Sequence, residues 1–262
     1  MRNFSSEKRL LVVALDHIPL GIMPGWEHAE KTLKAVIAGQ PDYIVVNFGI
    51  LKRFSALFQG GPRTVLRLDG SPSYLVDNWL DAAEWHLLYS IEDALRLGAS
   101  AAIVNLVVGG PAEMQSVRAV ARAASACLER QFSLFVSAVP SAKALERDHT
   151  EVTAFAARLA SELGADIVNL YYDGDAKGLE YIVPTCPAPI VLAGGALKSD
   201  VDTLRRVRFA VDAGCLGVCY GRSIWQSRHP TLVMKAVRSL LLGSQSLDAA
   251  IQSLSEDGAR LA

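Results

Sequence analysis

The stretches that decide the fold are ADIVNLYY (residues 165–172), APIVLAGG (188–195) and LGVCYGR (216–222). Each is a short apolar run, rich in β-branched residues, of the length typical of a buried strand. Glycines end the last two runs, at Gly194-Gly195 and at Gly221. In a parallel barrel these strand ends lie together, and glycines there leave backbone N–H groups free to face an anion. The sequence therefore predicts a phosphate-binding site.

The whole chain alternates short apolar runs with longer segments of helical period. Strict alternation of this kind requires right-handed crossovers and a parallel sheet. Because no G-x-G-x-x-G motif follows the first run, we favour a closed (β/α)8 TIM barrel, formed by residues 1–262 as one α/β domain, over an open doubly wound sheet. The predicted strands are Leu10–Asp16, Tyr43–Asn47, Thr64–Leu68, Ala101–Val107, Ser133–Ala138, Asp166–Leu170, Ile190–Leu192 and Gly217–Tyr220. The predicted helices include His28–Ala38, Ile91–Leu97, Glu113–Glu129, Thr150–Leu163, Ser199–Asp212 and Pro230–Leu242.

Composition excludes several classes of protein. The 262 residues, 51% of them hydrophobic, suffice for one large core. Because 26 Lys and Arg nearly balance 27 Asp and Glu, no overall field favours nucleic acid or an anionic membrane as a partner. The N-terminus lacks the apolar core of a signal peptide, and no run reaches membrane-spanning length, so we expect a cytoplasmic protein. The four cysteines form no C-x-x-C pair and the five histidines lack metal-ligand spacing, which predicts buried thiols and neither metal nor cofactor.

The barrel places candidate functional residues at the carboxyl ends of its strands. Asp16 and His17 end the first strand, and Asp69 and Asn105 follow the third and fourth. The sixth strand delivers Asn169 and Tyr171. Each carboxylate also has a structural interpretation, as a helix cap or loop tie for Asp16 and as a plain Asp-Gly turn for Asp69. The aromatic segment Trp79–Tyr89 is predicted to be helical and to serve packing or a subunit interface.

Four motifs together resemble those of the DeoC/LacD-type class I aldolases. They are Leu15-Asp16-His17, the segment from Asp166 to Asp175 with its Tyr171-Tyr172 pair, Val191-Leu192-Ala193-Gly194-Gly195, and Gly221-Arg222-Ser223-Ile224-Trp225-Gln226. The resemblance extends from about residue 8 to residue 240. Within the family it is strongest to the archaeal-type fructose-bisphosphate aldolases and the autoinducer-2 phosphate thiolase.

The resemblance implies an aldolase-like lyase of carbohydrate metabolism whose substrate is a phosphorylated ketose or diketone. The substrate phosphate would lie against Gly194, Gly195 and Gly221, with Arg222 and Lys198 as cationic partners. Asp16 matches the family acid that assists proton transfer. Asp69 and Asn105 would contact the substrate. The resemblance also implies a homo-oligomer, up to a decamer.

The sequence departs from the family at two catalytic positions. Active aldolases carry on the sixth strand a lysine that forms a Schiff base with the substrate, and this chain has Asn169 there. The amide nitrogen of asparagine is delocalised into its carbonyl and is not a nucleophile. The family's tyrosine-proline pair at the end of the fifth strand is Val139-Pro140 here. The paired loss indicates altered chemistry or none.

Several interpretations of that loss stay open. In the first, carbon–carbon cleavage or enolisation proceeds without an imine, with Asp16 or His17 as base and with Asn169 and Tyr171 bonded to the carbonyl oxygen. In the second, a displaced lysine, Lys143 or Lys52, restores the imine. The others are a sugar-phosphate isomerase or epimerase, a non-catalytic sugar-phosphate binder, and a divalent-ion enzyme whose ligands come from the set Asp16, His17, Asp69 and His86.

Overall fold

A computed structural model describes residues 8–77, 84–195 and 199–260. Eight parallel strands close into a barrel in the spatial order β1-β8-β7-β6-β5-β4-β3-β2, so the predicted TIM barrel is confirmed. The strands are β1 Leu10–Ala14, β2 Tyr43–Val46, β3 Arg63–Arg67, β4 Ala101–Val108, β5 Ser133–Pro140, β6 Ile167–Leu170, β7 Ile190–Ala193 and β8 Gly217–Tyr220.

Helices surround the barrel and connect its strands. They are α1 Ala29–Ala38, α2 Phe48–Phe54, α3 Ile91–Arg96, α4 Glu113–Arg130, α5 His149–Glu162, α6 Ala176–Thr185, α7 Asp200–Asp212, α8 Arg222–Trp225, α9 Pro230–Leu241 and α10 Leu247–Arg260. The sequence analysis did not name α2, α6, α8 or α10. Within the described ranges, no helix is long and apolar enough to cross a membrane.

Helix ends follow the chemistry of the residues found there. The Ser90 side chain accepts from the Asp93 N–H while the Asp93 carboxylate accepts from the Ser90 N–H, a capping box that begins α3. The carboxylates of Asp148 and Asp175 cap α5 and α6 by accepting from the backbone N–H groups of Glu151 and Gly178, without the reciprocal bond. Gly164, just after α5, has φ +105°, a conformation that glycine adopts without steric cost.

The core has two layers, and the alternation of side chains along each strand assigns a residue to one or the other. Val12, Val65 and Val191 point into the barrel and pack with their counterparts on the other strands. Their neighbours Val13 and Leu66 point outward against the helices. Inward side chains at the carboxyl end of each strand therefore line the mouth of the barrel. The alternation along each strand thus determines which polar residues face the mouth.

The segment after β3 differs from its prediction. Residues 78–83, including Trp79, lie outside the described residues, but residues 84–89 are not helical. His86–Leu87 pairs antiparallel with Asp69–Gly70, and the Leu88 and Tyr89 N–H groups donate to the Leu68 carbonyl at 2.8 and 3.0 Å. Backbone bonds to the extension of β3 hold this segment in extended form, and that tertiary pairing overrides the local helical pattern. The result is a small hairpin at the barrel mouth.

Candidate active site

A cavity of about 760 Å³ opens at the carboxyl ends of the strands. Its lining includes every residue predicted for the site except Lys198, which lies outside the described residues. These are Asp16, His17, Asp69, Asn105, Asn169, Tyr171, Gly194, Gly195, Gly221 and Arg222. The cavity also takes in residues that the sequence analysis did not select, among them Arg67, Phe48, Trp85, Leu88 and Tyr89.

Arg67 joins two of the candidate carboxylates. Its Nε and Nη2 donate to Asp16 Oδ2 at 2.8 and 2.6 Å, and its Nη1 donates to Asp69 Oδ1 at 3.1 Å. The three side chains are buried, with exposed fractions of 13% for Arg67, 9% for Asp16 and 2% for Asp69. A guanidinium fork matches carboxylate geometry, so these hydrogen bonds are strong as well as directional. The triad carries a net charge of about −1.

Asp69 also ties β3 to β4. Its Oδ2 accepts from the backbone N–H of Asn105 at 3.0 Å and from Asn105 Nδ2 at 2.9 Å. Both carboxylate oxygens are thus occupied, one by Arg67 and one by Asn105. Asp69 therefore holds the strand ends in place, whereas its contact with substrate remains a prediction.

The ion pair between Asp16 and Arg67 keeps both of these groups ionised. Burial alone would raise the pKa of Asp16, but the Arg67 guanidinium, His17 and the hydrogen bonds outweigh burial and hold that pKa below its ordinary value. Burial would lower the pKa of Arg67, yet Asp16 and Asp69 together raise it. Asp16 is consequently an anion fixed on Arg67 rather than a free base.

His17 lies between the triad and the glycines of the last strand. Its Nδ1 is 3.9 Å from Asp16 Oδ1, and its ring meets Trp225 edge-on with a centroid distance of 6.0 Å. Burial lowers the pKa of His17, and the positive charges of Arg222 and Arg67 lower it further. The negative charge of Asp16 raises it, but by less. The imidazole therefore stays neutral near pH 7. A neutral imidazole can accept a proton.

Asn169 lies on the inner face of β6, in register with Ser137 on β5. Its Nδ2 donates to Ser137 Oγ at 3.0 Å. Its Oδ1 is buried and, among the residues described, has no hydrogen-bond partner. Rotating the amide by 180° exchanges the two atoms, so that Ser137 donates to Oδ1 and the NH2 group becomes the unpartnered one. In either orientation one polar atom of Asn169 is left for another partner.

Lysine does not contribute to the described lining of the cavity. Lys143, after β5, and Lys52, on α2, are both exposed. Neither residue borders the cavity in the described structure, so the geometry does not favour a displaced Schiff-base lysine. Val139 lines the cavity at the end of β5, at the position where the family resemblance calls for tyrosine.

The glycines after β7 and β8 leave no room for side chains. Gly195 has φ +66°, and a Cβ on it would lie 2.8 Å from Tyr171 Cε2. A Cβ on Gly221 would collide with the His17 ring. Arg222 Nη2 donates to the Gly195 carbonyl at 2.9 Å and so links the two turns. Both turns line the cavity beside the Arg222 guanidinium, with Tyr171 packed against Gly195 and His17 against Gly221.

A divalent-ion site is not supported by the donor geometry. In the described parts of the chain no three His, Cys, Asp or Glu residues are grouped so that they could hold a metal ion. Arg67 already occupies Asp16 and Asp69, and His86 lies outside the cavity lining, bonded to Glu84 at 2.9 Å. The metal-ion alternative is thus without a ligand set among these residues.

Sequence reasoning missed Arg67, although a signal was present. Val65 points into the barrel, and residues two apart on a strand share a face. Arg67 and Asp69 therefore continue the inward face of β3 to the mouth. Because Arg67 and Asp69 carry opposite charges and share this inward face, the sequence predicts an ion pair inside the barrel mouth.

Comparison with known proteins places this geometry in a family. A model described as DeoC/LacD family aldolase matches residues 11–227. The chain belongs to this family. The 3-hydroxy-5-phosphonooxypentane-2,4-dione thiolase of Shigella flexneri is 32% identical over 241 residues, which cover 92% of this chain and 86% of the relative. The 2-amino-3,7-dideoxy-D-threo-hept-6-ulosonate synthase of Halobacterium salinarum is 27% identical over 252 residues, 96% of this chain and 93% of the relative.

Solved structures of two aldolases superpose well on this barrel. An archaeal fructose 1,6-bisphosphate aldolase has a TM-score of 0.80 and 26% identity, covering 92% of this chain and 96% of that chain. A second structure, an archaeal fructose-1,6-bisphosphate aldolase with its catalytic Lys covalently bound to the carbinolamine intermediate, has a TM-score of 0.81, 26% identity and the same coverage of both chains.

Proposed function

We propose that this DeoC/LacD family member is a lyase that cleaves or forms a carbon–carbon bond in a phosphorylated sugar-like substrate without a Schiff base. One observation carries the proposal: His17, whose pKa is lowered by burial, lies between the Asp16 carboxylate and the glycine turn at Gly221. This arrangement supports a role for His17 in proton transfer next to a phosphate bound at the glycine turns, in a cavity whose strand-six residue is Asn169.

The substrate class is inferred from the relatives and from the turns after β7 and β8. The thiolase from Shigella flexneri is named for a phosphorylated diketone, and the archaeal structures are of fructose 1,6-bisphosphate aldolase. Gly194, Gly195 and Gly221 offer backbone to an anion, and Arg222 adds a cation. We assign the substrate phosphate to this site, with Lys198 as a further predicted partner.

His17 is the proposed base. In cleavage it takes the proton of the substrate hydroxyl; the carbon–carbon bond breaks as the new carbonyl forms, and the bonding pair moves into the retained ketone to give an enolate. Protonated His17 then returns the proton to the enolate carbon, so that protons and electrons balance. Asp16, fixed on Arg67, supports the imidazolium through its negative charge. Asp16 acts in this scheme as a positioning residue.

Asn169 is the proposed hydrogen-bond donor to the enolate oxygen, with Tyr171 beside it in the lining. When Ser137 donates to Oδ1, the Asn169 NH2 group is available for the developing charge. A donor of this kind contributes about 10²–10³-fold to rate in known oxyanion sites. Burial and Asp173 raise the pKa of Tyr171, so its hydroxyl remains a donor at neutral pH.

Turnover and trapping distinguish this mechanism from an imine. The protein is incubated with dihydroxyacetone phosphate, fructose 1,6-bisphosphate and a panel of ketose monophosphates, with and without borohydride, and product formation and intact mass are measured. We expect turnover of at least one ligand and no mass increase on reduction. A covalent adduct would overturn the imine-free mechanism, and peptide mapping would identify the lysine involved.

Ligand binding without any turnover would instead support a sugar-phosphate binder, the alternative favoured by the joint presence of Asn169 and Val139. Interconversion of sugar phosphates without cleavage would support an isomerase or epimerase.

We further expect a cytoplasmic homo-oligomer, up to a decamer. Light scattering during size-exclusion chromatography measures the oligomeric mass, and a monomeric mass at micromolar concentration would contradict that expectation.

A further inference from the structure

The cavity has a second wall that the proposed function does not use. We define the apolar wall as Phe48, Trp85, Leu88 and Tyr89, which all line the cavity. These residues follow β2 and β3, whereas the proposed phosphate site follows β7 and β8. The closed strand order places β3 across the barrel from those two strands. A ligand whose phosphate lies at Gly221 therefore extends its other end toward the apolar wall.

The apolar wall presents rings to that end of the cavity. Phe48 and Tyr89 are stacked, with ring centroids 4.4 Å apart and an interplanar angle of 6°. The Trp85 indole is buried, with an exposed fraction of 7%, and packs with Val107 and Ala112. Leu88 is 62% exposed. Flat, apolar surfaces of this kind stabilise a ligand by removing its own apolar surface from water.

Charge in the cavity disfavours a second anion. The cations in its described lining are Arg67 and Arg222. The Arg67 guanidinium is already occupied by two carboxylates, and the triad is negative as a whole. Arg222 lies at the proposed phosphate site. An anion at the apolar wall would thus lose water without gaining a cationic partner among these residues, and that cost is large.

Two donor nitrogens at this end of the cavity have no described acceptor. Trp85 Nε1 and Asn47 Nδ2 are buried and, in the described ranges, form no hydrogen bond. Both residues line the cavity. An indole N–H can only donate, so it is satisfied by an oxygen acceptor such as a carbonyl or hydroxyl. Buried donors of this kind are normally paired, which points to a ligand atom.

We propose that the substrate fragment distal to the phosphate is uncharged, with a planar or branched apolar body and an oxygen acceptor. Such a fragment is an alkyl or aryl acyl group or aldehyde. This inference rests on the proposed phosphate site, because that site fixes which end of the ligand reaches the apolar wall. It separates this chain from enzymes that grip a phosphate at both ends of their substrate.

Binding calorimetry tests the inference without requiring turnover. The ligands are 4-phenylbutyl phosphate, which carries one phosphate and an aryl end, and butane-1,4-diyl bisphosphate, which carries a phosphate at both ends. We expect the phenyl compound to bind at least about tenfold more tightly. Equal or tighter binding of the bisphosphate would overturn the inference.

A charged substitution on the apolar wall tests whether that wall causes the preference for the phenyl compound. Leu88→Arg places a cation on the apolar wall, and we expect it to reverse or abolish the preference for the phenyl compound. The matched control is Leu95→Arg, on α3, because Leu95 is also partly exposed, at 43%, and lies outside the cavity lining. The control is expected to retain the preference of the unmodified protein. The same response in both variants would contradict a role for the apolar wall.

A ligand without phosphate separates this inference from the proposed function. If neither phosphate compound binds, the proposed phosphate site is wrong. Binding of 4-phenyl-2-butanone that is weakened by Leu88→Arg and unchanged by Leu95→Arg would then still support the apolar wall. Absence of that binding as well would overturn both proposals.

Discussion

The two halves of the barrel mouth differ in charge. On the side of β1, β3 and β4, Asp16, Arg67, Asp69 and Asn105 form a continuous network of charge-assisted hydrogen bonds. On the side of β5 and β6, Asn169 bonds to Ser137 and leaves one polar atom without a described partner.

This difference shows where the structure can support reactivity. The charged half is nearly saturated, since both carboxylates of the triad are committed to Arg67. The neutral half offers unfilled hydrogen-bonding capacity but no lysine among its described residues. His17, beside the charged half, has a buried ring nitrogen without a described hydrogen-bond partner, and burial lowers its pKa. The proposed mechanism therefore requires the two halves to act on one ligand.

Arg67→Met should have the largest effect on stability, because it leaves two buried carboxylates without their cation. We expect a loss of about 3–5 kcal/mol in the free energy of unfolding at pH 7, measured by urea denaturation. The pKa of Asp16 is depressed in the folded protein, so its contribution is present at neutral pH and is lost as pH falls below the ordinary value of about 3.9. The difference between Arg67→Met and the unmodified protein should accordingly shrink as pH approaches 3.

The control for this variant is Arg205→Met, which removes an exposed partner of Asp202 on α7. Exposed pairs contribute little, so we expect a change below about 1 kcal/mol. Comparable losses in the two variants would show that burial of the triad does not strengthen its ion pairs.

His17→Gln should have the next largest effect, this time on rate. Loss of a general base costs about 10²–10⁴-fold in kcat/KM, provided the proposed lyase activity is found. Because the pKa of His17 lies below the ordinary value of about 6.5, the unmodified enzyme should lose activity only as pH falls below that value. The variant should lack this acid limb. If His17→Gln loses activity over the same pH range, the titration that causes this loss belongs to another group.

Asn169→Lys changes the neutral half by supplying an amine at the strand-six position. We expect borohydride to trap a covalent adduct with a ketose phosphate in this variant and none in the unmodified protein. Loss of the bond to buried Ser137 should cost about 1–3 kcal/mol of stability. Intact-mass spectrometry with peptide mapping checks both the adduct and its location. An adduct on another lysine would show that position 169 does not face the substrate carbonyl.

Ser137→Ala should have the smallest effect, because it removes one neutral hydrogen bond. The expected loss is about 0.5–1.5 kcal/mol in the free energy of unfolding. Since Ser137 orients the Asn169 amide, kcat should fall with little change in KM. A rise in KM alone would place Asn169 in ground-state binding rather than in stabilisation of the transition state.

Strand ends were the predictable part of this site. The eight apolar runs indicated where each strand ends, and that information alone placed Asp16, Asp69, Asn105 and Asn169 at the mouth. Arg67 was missed because a charged residue within a strand was not assigned to the inner face. His86–Leu87, which pairs with Asp69–Gly70, was wrongly predicted to lie in a helix, since its extended structure depends on pairing with residues distant in the chain. Such partnerships leave no local pattern in sequence.

Trp225 connects the two ends of the chain. Its Nε1 donates to the Ala14 carbonyl at 3.1 Å, across 211 positions of sequence, and its ring contacts His17. Trp225 is therefore synthesised long after His17, the residue that its ring contacts. Contacts of such high sequence separation form slowly, because the loop between them must first be closed. On the ribosome the first strand must wait for the last, so the surroundings of His17 are completed only when the barrel closes.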